Sequence, residues 1–436
     1  MIESQKITSH VFVFLQVFSW EGGIQSYAQD LLTAYAAMAE ELAIEGEIYQ
    51  GEVFLLRDTP PINFSSPHLK FRFFASNLAT SGASVTILSK ISVTWGRTRL
   101  AIALLTHLWG QLPDHVFCGH IKLAPLIQWL TEPLGIPYTV FTHGKEVWYP
   151  LPEPERKALA GAAAIWSVSR YSADRLAVAN QISRERVQVV SCVVDPERFS
   201  PGEKSPELLD CYGLHQHQVL LTVARLWSGD IYKGVDVTIR ALPTIAQTFP
   251  KVKYLVIGRG DDQPRLAALA EELGVSDRVI FAGFVATPDL PAHYRLADAY
   301  VMPSQEGFGI VYLEAMACGV PVIAGDADGS ADPLQDGHLG WQVPHRDVDA
   351  VAQACIEILQ GHDQRCQGAW LRQEIMKSFT PFVFKDKLRG RMKEVEGGKG
   401  GKEGKGGKGG KEVGCVNELP ENNGLAGALR FANTPY

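Results

Sequence analysis

One pattern restricts the fold of this chain more than any other feature: a short apolar run, a glycine-containing turn and a segment of helical periodicity follow one another repeatedly. The first instance is VFVFLQVF (residues 11–18), followed by SWEGG and by IQSYAQDLLTAYAAMAEEL. An uninterrupted apolar strand that enters a helix through glycines is typical of a parallel α/β layer. The alternation continues through DHVFCGH, PYTVFTHG, AAIWSVS and RVQVVSCVV. Residues 1–200 are therefore predicted to form one Rossmann-like domain.

A turn-rich segment, VDPERFSPGEKSPELLDCYGL, interrupts the alternation, which then restarts with HQVLLTVARL, VKYLVIGRG, RVIFAGFV, AYVMPS and PVIAG. We predict a second Rossmann-like domain over residues 201–378. The fold class is thus α/β, with two parallel sheets that face each other across a deep cleft at their carboxyl ends. The elements between Leu56 and Gly110 stay approximate, because that stretch mixes strand and helix periods.

Composition excludes several classes of protein. The chain has 436 residues, 46% of them hydrophobic and 20% charged, and a formal net charge of −7, which argues against a dedicated nucleic-acid binder. The seven cysteines form no C-x-x-C pair and indicate reduced thiols in a cytosolic protein. The apolar run near the amino end lacks a basic leader, and no stretch approaches the roughly 18 to 20 apolar residues of a membrane span. Any membrane attachment is expected to be peripheral.

The carboxyl end differs in kind from the rest. Between residues 397 and 411 a lysine recurs at every third position within glycine. The segment has no proline and is too short for a collagen helix, and it lacks the apolar content needed to fold. Residues 395–436 are predicted to be a flexible basic tail.

The first candidate site is the stretch EGFGIVYLEAMACG. Glu306 follows a predicted strand and precedes a predicted helix, and flanking glycines let the backbone approach a ligand. The N–H groups of Phe308, Gly309 and Ile310 lie at the positive end of that helix, which is an anion site suited to phosphate. Glu314, one to two turns later, can reach a hydroxyl group. The alternative is that both carboxylates only stabilise the helix, by roughly 0.3 to 1 kcal/mol each.

Three further segments place polar groups at the predicted cleft. In ARLWSGDIYKG, Arg225 ends a strand and Lys233 precedes a helix, so the two cations could neutralise a diphosphate, although both could also be surface charges. His143 in VFTHGKEVW follows a strand and is a candidate for acid or base chemistry without an identifiable partner. Gly22 and Gly23 open the first helix of the first domain, either as a tight connection or opposite the phosphate site.

Taken together, these segments resemble glycosyltransferase family 4, the retaining nucleotide-sugar transferases of GT-B fold. EGFGIVYLEAMACGVPVIA matches the family's E-x7-E segment, and ARLWSGDIYKGVD matches its Arg/Lys phosphate segment. SVSRYSADRL and VVDPERFSP match its interdomain segments. The resemblance covers about residues 11–388 and leaves the tail outside.

The resemblance implies a role for each candidate residue. The groups expected near the reaction centre are Glu306, His143, Arg225 and Lys233. The groups expected to bind the donor are Gly22, Gly23, Arg225, Lys233, Phe308, Gly309, Ile310 and Glu314, the last through the ribose. The first domain is expected to bind the acceptor and the second the nucleotide sugar, and a helix over residues 379–394 is expected to pack back toward the first domain.

The resemblance also implies the reaction. A hexose would move from a nucleoside-diphosphate sugar, a UDP- or GDP-sugar, to a glycan or lipid-linked glycan, with retention of configuration and without metal or cofactor. The setting would be exopolysaccharide or cell-envelope glycan biosynthesis in the cytoplasm, either free or in peripheral contact with the inner membrane surface. Lys90, Arg97 and Arg99 lie in an apolar stretch that could contact an anionic membrane or belong to a helix with a solvated edge.

Two departures from the family pattern and three other functions remain open. Where many members carry Pro-Glu, the loop DADGSADPLQDG has Ala331 and Asp332, and the spacing from Arg225 to Lys233 is longer than the commonest form. The alternatives are an isomerase similar to nucleotide-sugar 2-epimerases and a catalytically silent nucleotide-sugar-binding protein of the same fold. A pyridoxal-dependent phosphorylase also shares the fold.

Overall fold

The computed structural model describes residues 7–75 and 85–397, without the side chains of residues 85–94. Most of the predicted glycine and lysine tail, the side chain of Lys90 and Cys415 therefore lie outside the described part. Residues Met1–Gly397 form one compact unit. Its strands are β1 (Ile7–Phe14), β2 (Ile48–Leu55), β3 (Leu69–Phe73), β4 (His115–Cys118), β5 (Tyr138–Thr142), β6 (Ala164–Ser167), β7 (Val187–Val189), β8 (Gln218–Val223), β9 (Val252–Ile257), β10 (Val279–Gly283), β11 (Ala299–Val301), β12 (Val322–Gly325) and β13 (Trp341–Val343).

The helices occupy the segments between the strands and the carboxyl end of the unit. They are α1 (Gly23–Ile44), α2 (Val85–Gln111), α3 (Ala124–Thr131), α4 (Glu153–Gly161), α5 (Arg170–Asn180), α6 (Pro206–Tyr212), α7 (Val235–Thr248), α8 (Gln263–Glu272), α9 (Leu290–Tyr294), α10 (Ile310–Ala317), α11 (Val348–Gln360), α12 (Gly368–Met376) and α13 (Pro381–Gly397).

The strands form two parallel sheets, as the alternation predicted. The first has seven strands in the order β3-β2-β1-β4-β5-β6-β7, and the second has six in the order β10-β9-β8-β11-β12-β13. In each sheet the strand order reverses beside the first strand in sequence, β1 or β8, where open α/β sheets bind ligands beyond the carboxyl ends of their strands. The loops after β1, β5, β8 and β11 carry the candidate residues.

The central strands are apolar because helices cover both faces of a parallel sheet. The last five residues of β1 are all buried, and so are all the residues of β4, β5 and β6. Gly51 in β2 meets the side chains of Phe12, Tyr35 and Leu69, and an added Cβ would lie 2.6 Å from the Leu69 side chain. This tight packing explains a glycine inside a strand.

The structure also contains elements that the sequence patterns did not indicate. β2 and β3 extend the first sheet beyond β1, and the stretch of mixed periodicity becomes the long helix α2. On α2 the side chains of Leu100, Leu104 and Leu108 are buried at a spacing of four residues, which is one helical face. The mixed pattern arises because the opposite face is apolar as well.

A hydrophobic cluster connects the two halves of the unit. It runs from Phe12 and Leu31 in the first half to Tyr312 and Leu371 in the second and includes Phe384 of α13. Helix α13 packs against α1, where Lys385 pairs with Glu41 and Arg389 pairs with Glu45. The carboxyl-terminal helix thus returns to the first half of the molecule, and the predicted residue boundaries between domains stay predictions.

Two further properties concern the helices and the cysteines of the described residues. Over residues 7–75 and 85–397, no helix is both long enough and apolar enough to cross a membrane. The six cysteines in this part of the chain form no disulfide, and burial raises the pKa of Cys118 to about 12.

Candidate active site

The centre of the site is an ion pair between the loop after β8 and the loop after β11. The ammonium of Lys233 contacts Oε1 of Glu306, and both side chains are largely buried, with 19% and 15% of their surfaces exposed. The hydroxyl of Ser304 donates a second hydrogen bond to the same oxygen, at 3.2 Å. Two residues that are 73 positions apart in the sequence are therefore held together where the second sheet ends.

Arg225 lies on the wall of the same pocket as Lys233. Its Nε donates to Oδ2 of Asp230 at 2.6 Å, and Asp230 is only 4% exposed. Because about half of the Arg225 side chain remains exposed, the guanidinium is oriented by the aspartate while part of it still faces the cleft. Asp230 was not singled out from the sequence, although its position inside ARLWSGDIYKG could have suggested an arginine partner.

Helix α10 begins at Ile310, directly after this ion pair. Gly309 precedes it with φ 88°, and an added Cβ would lie 2.4 Å from the ring of Tyr312, so only glycine fits there. Phe308 is buried against Phe379, at 6.1 Å between ring centroids. The first N–H groups of a helix have no acceptor within that helix, so this end of α10 presents donors to an anion beside Glu306 and Lys233.

Asp328 fixes the backbone of the Glu306 loop. Its Oδ2 accepts from the N–H of Glu306 at 2.5 Å, and its Oδ1 accepts from the N–H of Ser330 at 2.8 Å. Burial raises the pKa of Asp328 to about 7, although these hydrogen bonds act in the opposite direction. The carboxylate thus connects the loop after β11 to the loop after β12 by hydrogen bonds. Sequence analysis did not identify Asp328.

The two halves of the molecule touch at two glycines, Gly144 after β5 and Gly307 after β11. A Cβ on Gly307 would lie 2.0 Å from the carbonyl oxygen of His143, and a Cβ on Gly144 would lie 2.8 Å from the Cα of Gly307. Backbone meets backbone here without room for a side chain. Since Glu306 precedes Gly307 and His143 precedes Gly144, this contact brings both predicted residues to one place.

One hydrogen bond orients the imidazole of His143. Its Nε2 donates to the carbonyl oxygen of Gly119 at 3.0 Å, because a carbonyl oxygen can only accept. The buried Nδ1 has no hydrogen-bond partner in the described part of the chain. This nitrogen lies beside the glycine contact, where it can form a hydrogen bond with a hydroxyl group.

Helix α5 of the first half holds the Gly307 loop through hydroxyl groups. Ser169 and Ser172 both donate to the carbonyl oxygen of Gly307, at 2.6 and 3.0 Å. Arg170 pairs with Asp332 at 2.7 Å, and the N–H of Arg170 donates to the same carboxylate. Asp332, one of the departures from the family pattern, therefore connects the two halves of the molecule.

Gly22 and Gly23 lie at the start of α1, as predicted. The helix begins at Gly23, and a Cβ on that residue would meet no atom within 4 Å, so the space next to it is open. The neighbouring Glu21 accepts a hydrogen bond from Thr287 of the second half at 2.5 Å. The glycine turn therefore faces the loop after β10 across the cleft.

Glu314 lies deeper than its predicted role suggests. It is 8% exposed, it accepts a hydrogen bond from the phenol of Tyr294 at 2.6 Å, and burial raises its pKa. Asp30 of α1 lies near Glu314 and Asp195, and burial together with these charges raises the pKa of Asp30 to about 8. The structure places Glu314 in this acidic group between the two halves, and its contact with a ribose stays a prediction.

Lys145 is a further cation that sequence analysis passed over. It follows Gly144 in the first half, and its Nζ lies 2.9 Å from the centroid of the Tyr232 ring in the second half. The only signal was its place in VFTHGKEVW, directly after the histidine that was chosen. Among the residues that the structure describes, no group of three or more His, Cys, Asp or Glu side chains could hold a metal ion.

Two parallel sheets with a site between their carboxyl ends define the class of the protein: it has the GT-B fold. The same architecture occurs in a sucrose-phosphate synthase from Thermosynechococcus elongatus, with a TM-score of 0.69 over 90% of this chain and 100% of that one. The two sequences are 20% identical, so the likeness concerns the fold.

Sequence relatives define the family. Residues 217–361 match the family model of glycosyl transferases group 1. A GDP-mannose-dependent monoacylated alpha-(1-6)-phosphatidylinositol monomannoside mannosyltransferase from Corynebacterium glutamicum is 32% identical over 292 residues, which are 63% of this chain and 75% of that protein. The chain belongs to glycosyltransferase family 4, as the E-x7-E and Arg/Lys segments indicated.

A second relative is more similar over a shorter stretch. A GDP-mannose-dependent alpha-(1-6)-phosphatidylinositol monomannoside mannosyltransferase from Mycolicibacterium smegmatis is 36% identical over 231 residues. The match covers 50% of this chain and 59% of the length of that protein.

Proposed function

We propose that this protein is a retaining, metal-independent glycosyltransferase that moves a hexose from a nucleoside-diphosphate sugar to a glycolipid acceptor. The observation that carries the proposal is the Lys233–Glu306 ion pair at the start of α10, opposite His143. A carboxylate for the sugar and a cation for the phosphates are thereby held at one point of the cleft. The names of both relatives favour GDP-mannose as the donor and a phosphatidylinositol mannoside as the acceptor.

Each group has a task in the proposed reaction. The diphosphate would lie against Arg225, Lys233 and the amino end of α10, and the hexose would lie between Glu306 and His143. The bond between the anomeric carbon and the phosphate oxygen breaks, and its electron pair goes to that oxygen. The acceptor hydroxyl attacks from the same face and gives its proton to the departing phosphate oxygen. The cations lower the barrier because negative charge grows on the leaving group.

Surface features of α2 support a membrane-bound acceptor. Trp95, Ile102 and Trp109 are each more than half exposed, at 61%, 57% and 64%, and they follow one another at intervals of seven residues. Such spacing places them along one helical face. We infer that this apolar face of α2 lies on the bilayer surface, where tryptophan is favoured.

The charges on α2 agree with an anionic membrane. The helix contains no aspartate or glutamate, and Arg99 is exposed beside the apolar face, whereas the exposed Arg97 lies on the side toward Arg57. Basic groups near an anionic surface contribute about 1 kcal/mol each. The enzyme would thus work at the cytoplasmic face of the membrane through this peripheral contact.

The experiment that tests the transfer follows nucleotide release from GDP-mannose, other GDP-sugars and UDP-sugars, with and without phosphatidylinositol mannosides in detergent, in the presence of EDTA. Release that requires donor and acceptor and is lost in Glu306→Ala is expected. NMR of the product should show the anomeric configuration of the donor.

The outcomes separate the parts of the proposal. Release without any acceptor, with interconversion of the sugar, would favour an isomerase. Binding of GDP-mannose without release under any condition would overturn the transferase. An inverted product or complete inhibition by EDTA would overturn retention or metal independence separately.

A further inference from the structure

Lys145 crosses from the first half of the molecule into the site of the second. It begins a short 3-10 helix, Lys145–Val147, which directly follows Gly144. Its Nζ lies over the ring of Tyr232, 2.9 Å from the centroid, and the same ring has Nζ of Lys233 at 5.4 Å. Two ammonium groups from different halves therefore lie around one tyrosine.

The backbone contact between Gly144 and Gly307 determines this position. The added Cβ distances of 2.0 and 2.8 Å show that the two loops meet backbone to backbone, without room for a side chain. Lys145 is the next residue after Gly144, so its side chain enters the second half whenever the glycines touch. If the halves separated, Lys145 would leave with the first half, whereas Lys233 and Arg225 would stay in the second.

The surroundings of Lys145 are charged on several sides. The groups that face it are Glu306, Lys233, Asp230, Asp328 and His345. Burial lowers the pKa of Lys145 to about 8, the charge of Lys233 acts in the same direction, and Glu306 opposes both. An anion placed among these cations would favour the charged form of Lys145 and raise its pKa.

We propose that Lys145 is a third cation of the diphosphate site, delivered by the first half of the molecule, so that the leaving diphosphate is fully neutralised only when Gly144 and Gly307 are in contact. The identity of the anion rests on the proposed glycosyl transfer. Binding of a nucleoside diphosphate would draw a proton onto Lys145 near pH 8. Through Lys145, the contact between Gly144 and Gly307 is thereby linked to the departure of the diphosphate.

Proton uptake on binding tests this role without measuring transfer. GDP, and UDP in parallel, is titrated into the full chain by calorimetry at pH 8. Two buffers with different ionisation enthalpies report the number of protons taken up. The diphosphate groups of GDP and UDP are already ionised at that pH, so they contribute little to this number. The wild-type protein should take up about half a proton through Lys145, since a group with a pKa near the working pH is half protonated before binding. Uptake by Asp30 or Asp328 is the same in the wild-type protein and in Lys145→Arg, which keeps the positive charge, and cancels in that comparison.

Three variants make the result decisive. Lys145→Arg keeps the positive charge but does not titrate at pH 8, so it should bind GDP within about threefold of wild type while the extra proton uptake disappears. Lys145→Met should lose the uptake and raise the Kd about tenfold. Lys157→Met, at an exposed lysine of α4, should change neither quantity. Equal proton uptake in the wild-type protein and in Lys145→Arg would overturn the proposal.

The two proposals can fail separately. If the protein transfers sugar but Lys145→Arg takes up as many protons as the wild type, the proposed transfer stands and the role of Lys145 is overturned. If proton uptake depends on Lys145 but no donor and acceptor lead to nucleotide release, the role of Lys145 stands and the proposed transfer is overturned. A wild-type chain that binds neither GDP nor UDP would overturn both.

Discussion

Arg225 and Lys233 illustrate how single residues acquire a role through their partners. Arg225 is held by the buried carboxylate of Asp230, and Lys233 by Glu306. A guanidinium that is already oriented loses little conformational freedom when it meets a phosphate. The two cations therefore carry the same charge but are paired with different carboxylates, Asp230 and Glu306.

Replacement of Arg225 should affect the reaction more than the binding of free nucleotide. Arg225→Ala is expected to lower kcat by about 10²- to 10³-fold, because negative charge on the bridging oxygen grows toward the transition state. The Kd of GDP should rise by less. Single-turnover kinetics and calorimetry measure the two quantities, and equal losses in both would count against the role.

Two companion variants control for structural damage. Arg225→Ala leaves Asp230 buried without its partner, so the double variant Arg225→Ala/Asp230→Asn removes the uncompensated charge and should show the same loss of kcat. Arg365→Ala breaks another Arg–Asp pair of the second half, with Asp363, and should keep kcat near the wild-type value.

At the scale of secondary-structure elements, the loops after β5 and β11 are held in contact with each other. Gly144 and Gly307 bring the loops together, and Ser169 and Ser172 hold the Gly307 carbonyl. No residue type other than glycine fits this approach, because the nearest atoms belong to the backbone.

Gly307→Ala should therefore separate the two loops. The added methyl group would lie 2.0 Å from the carbonyl oxygen of His143. A displacement of about 1 Å in the reacting groups is expected to lower kcat/KM by about 100-fold. The Kd of GDP should rise by no more than about tenfold, the loss expected for Lys145→Met, since Arg225, Lys233 and α10 all belong to the second half.

Gly390→Ala in α13 is the matched control, because no atom lies within 4 Å of the added Cβ. It should leave kcat/KM unchanged. If both variants lost the same activity, or if Gly307→Ala lost none, the loop contact would not position the reacting groups.

The apolar face of α2 makes a prediction at the same scale. Trp95→Ser/Trp109→Ser should lower the fraction of protein that floats with vesicles of phosphatidylinositol and phosphatidylcholine by about tenfold, because two interfacial anchors are removed. Arg99→Gln should reduce flotation with these anionic vesicles and should leave flotation with vesicles of phosphatidylcholine alone unchanged.

A control for the α2 variants replaces exposed apolar residues elsewhere. Ile44→Ser/Val178→Ser changes two side chains that are 85% and 83% exposed on other helices and should float like the wild-type protein. Flotation of all variants to the same extent would contradict a membrane contact through α2.

The whole molecule depends on groups that lie between its two halves. The shared hydrophobic cluster, the return of α13 to α1 and the Arg170–Asp332 pair connect the halves over a long surface. Asp30, beside Asp195 and Glu314, is the group whose ionisation opposes this association, since its pKa is raised to about 8.

Stability should fall as the pH rises toward 8 because of Asp30. In the unfolded chain the carboxyl group ionises near its ordinary pKa of about 4, whereas in the folded protein it stays protonated up to about pH 8. The stabilisation is thus complete below pH 4 and is lost as the pH rises through 8. Asp30→Asn should match the wild-type Tm at pH 4 and exceed it at pH 9 by about 2–4 °C.

Thermal unfolding of both proteins from pH 4 to 9 measures this difference, and the pH dependence due to Asp328 is common to both. Asp386→Asn, at an exposed position of α13, should show no difference that depends on pH. A constant offset between Asp30→Asn and the wild-type protein at every pH would refute the titration of Asp30.

Local sequence determined the parallel strands, the helices that follow them and the glycine-rich loops, because the period of apolar residues and the needs of the backbone act over a few residues. The E-x7-E and Arg/Lys segments identified the family for the same reason. What local pattern could not decide was α2, whose two faces are both apolar, and β2 and β3, which join the sheet through neighbours distant in sequence.

The tertiary structure alone decided which side chains meet. Lys233 reaches Glu306, Asp332 reaches Arg170 and Lys145 reaches Tyr232 only after two sheets have brought their carboxyl ends together. These contacts join residues that are 73, 162 and 87 positions apart. Charge and hydrogen bonding act over a few ångströms of space and not along the chain, so a residue such as Lys145 gains its surroundings from the fold.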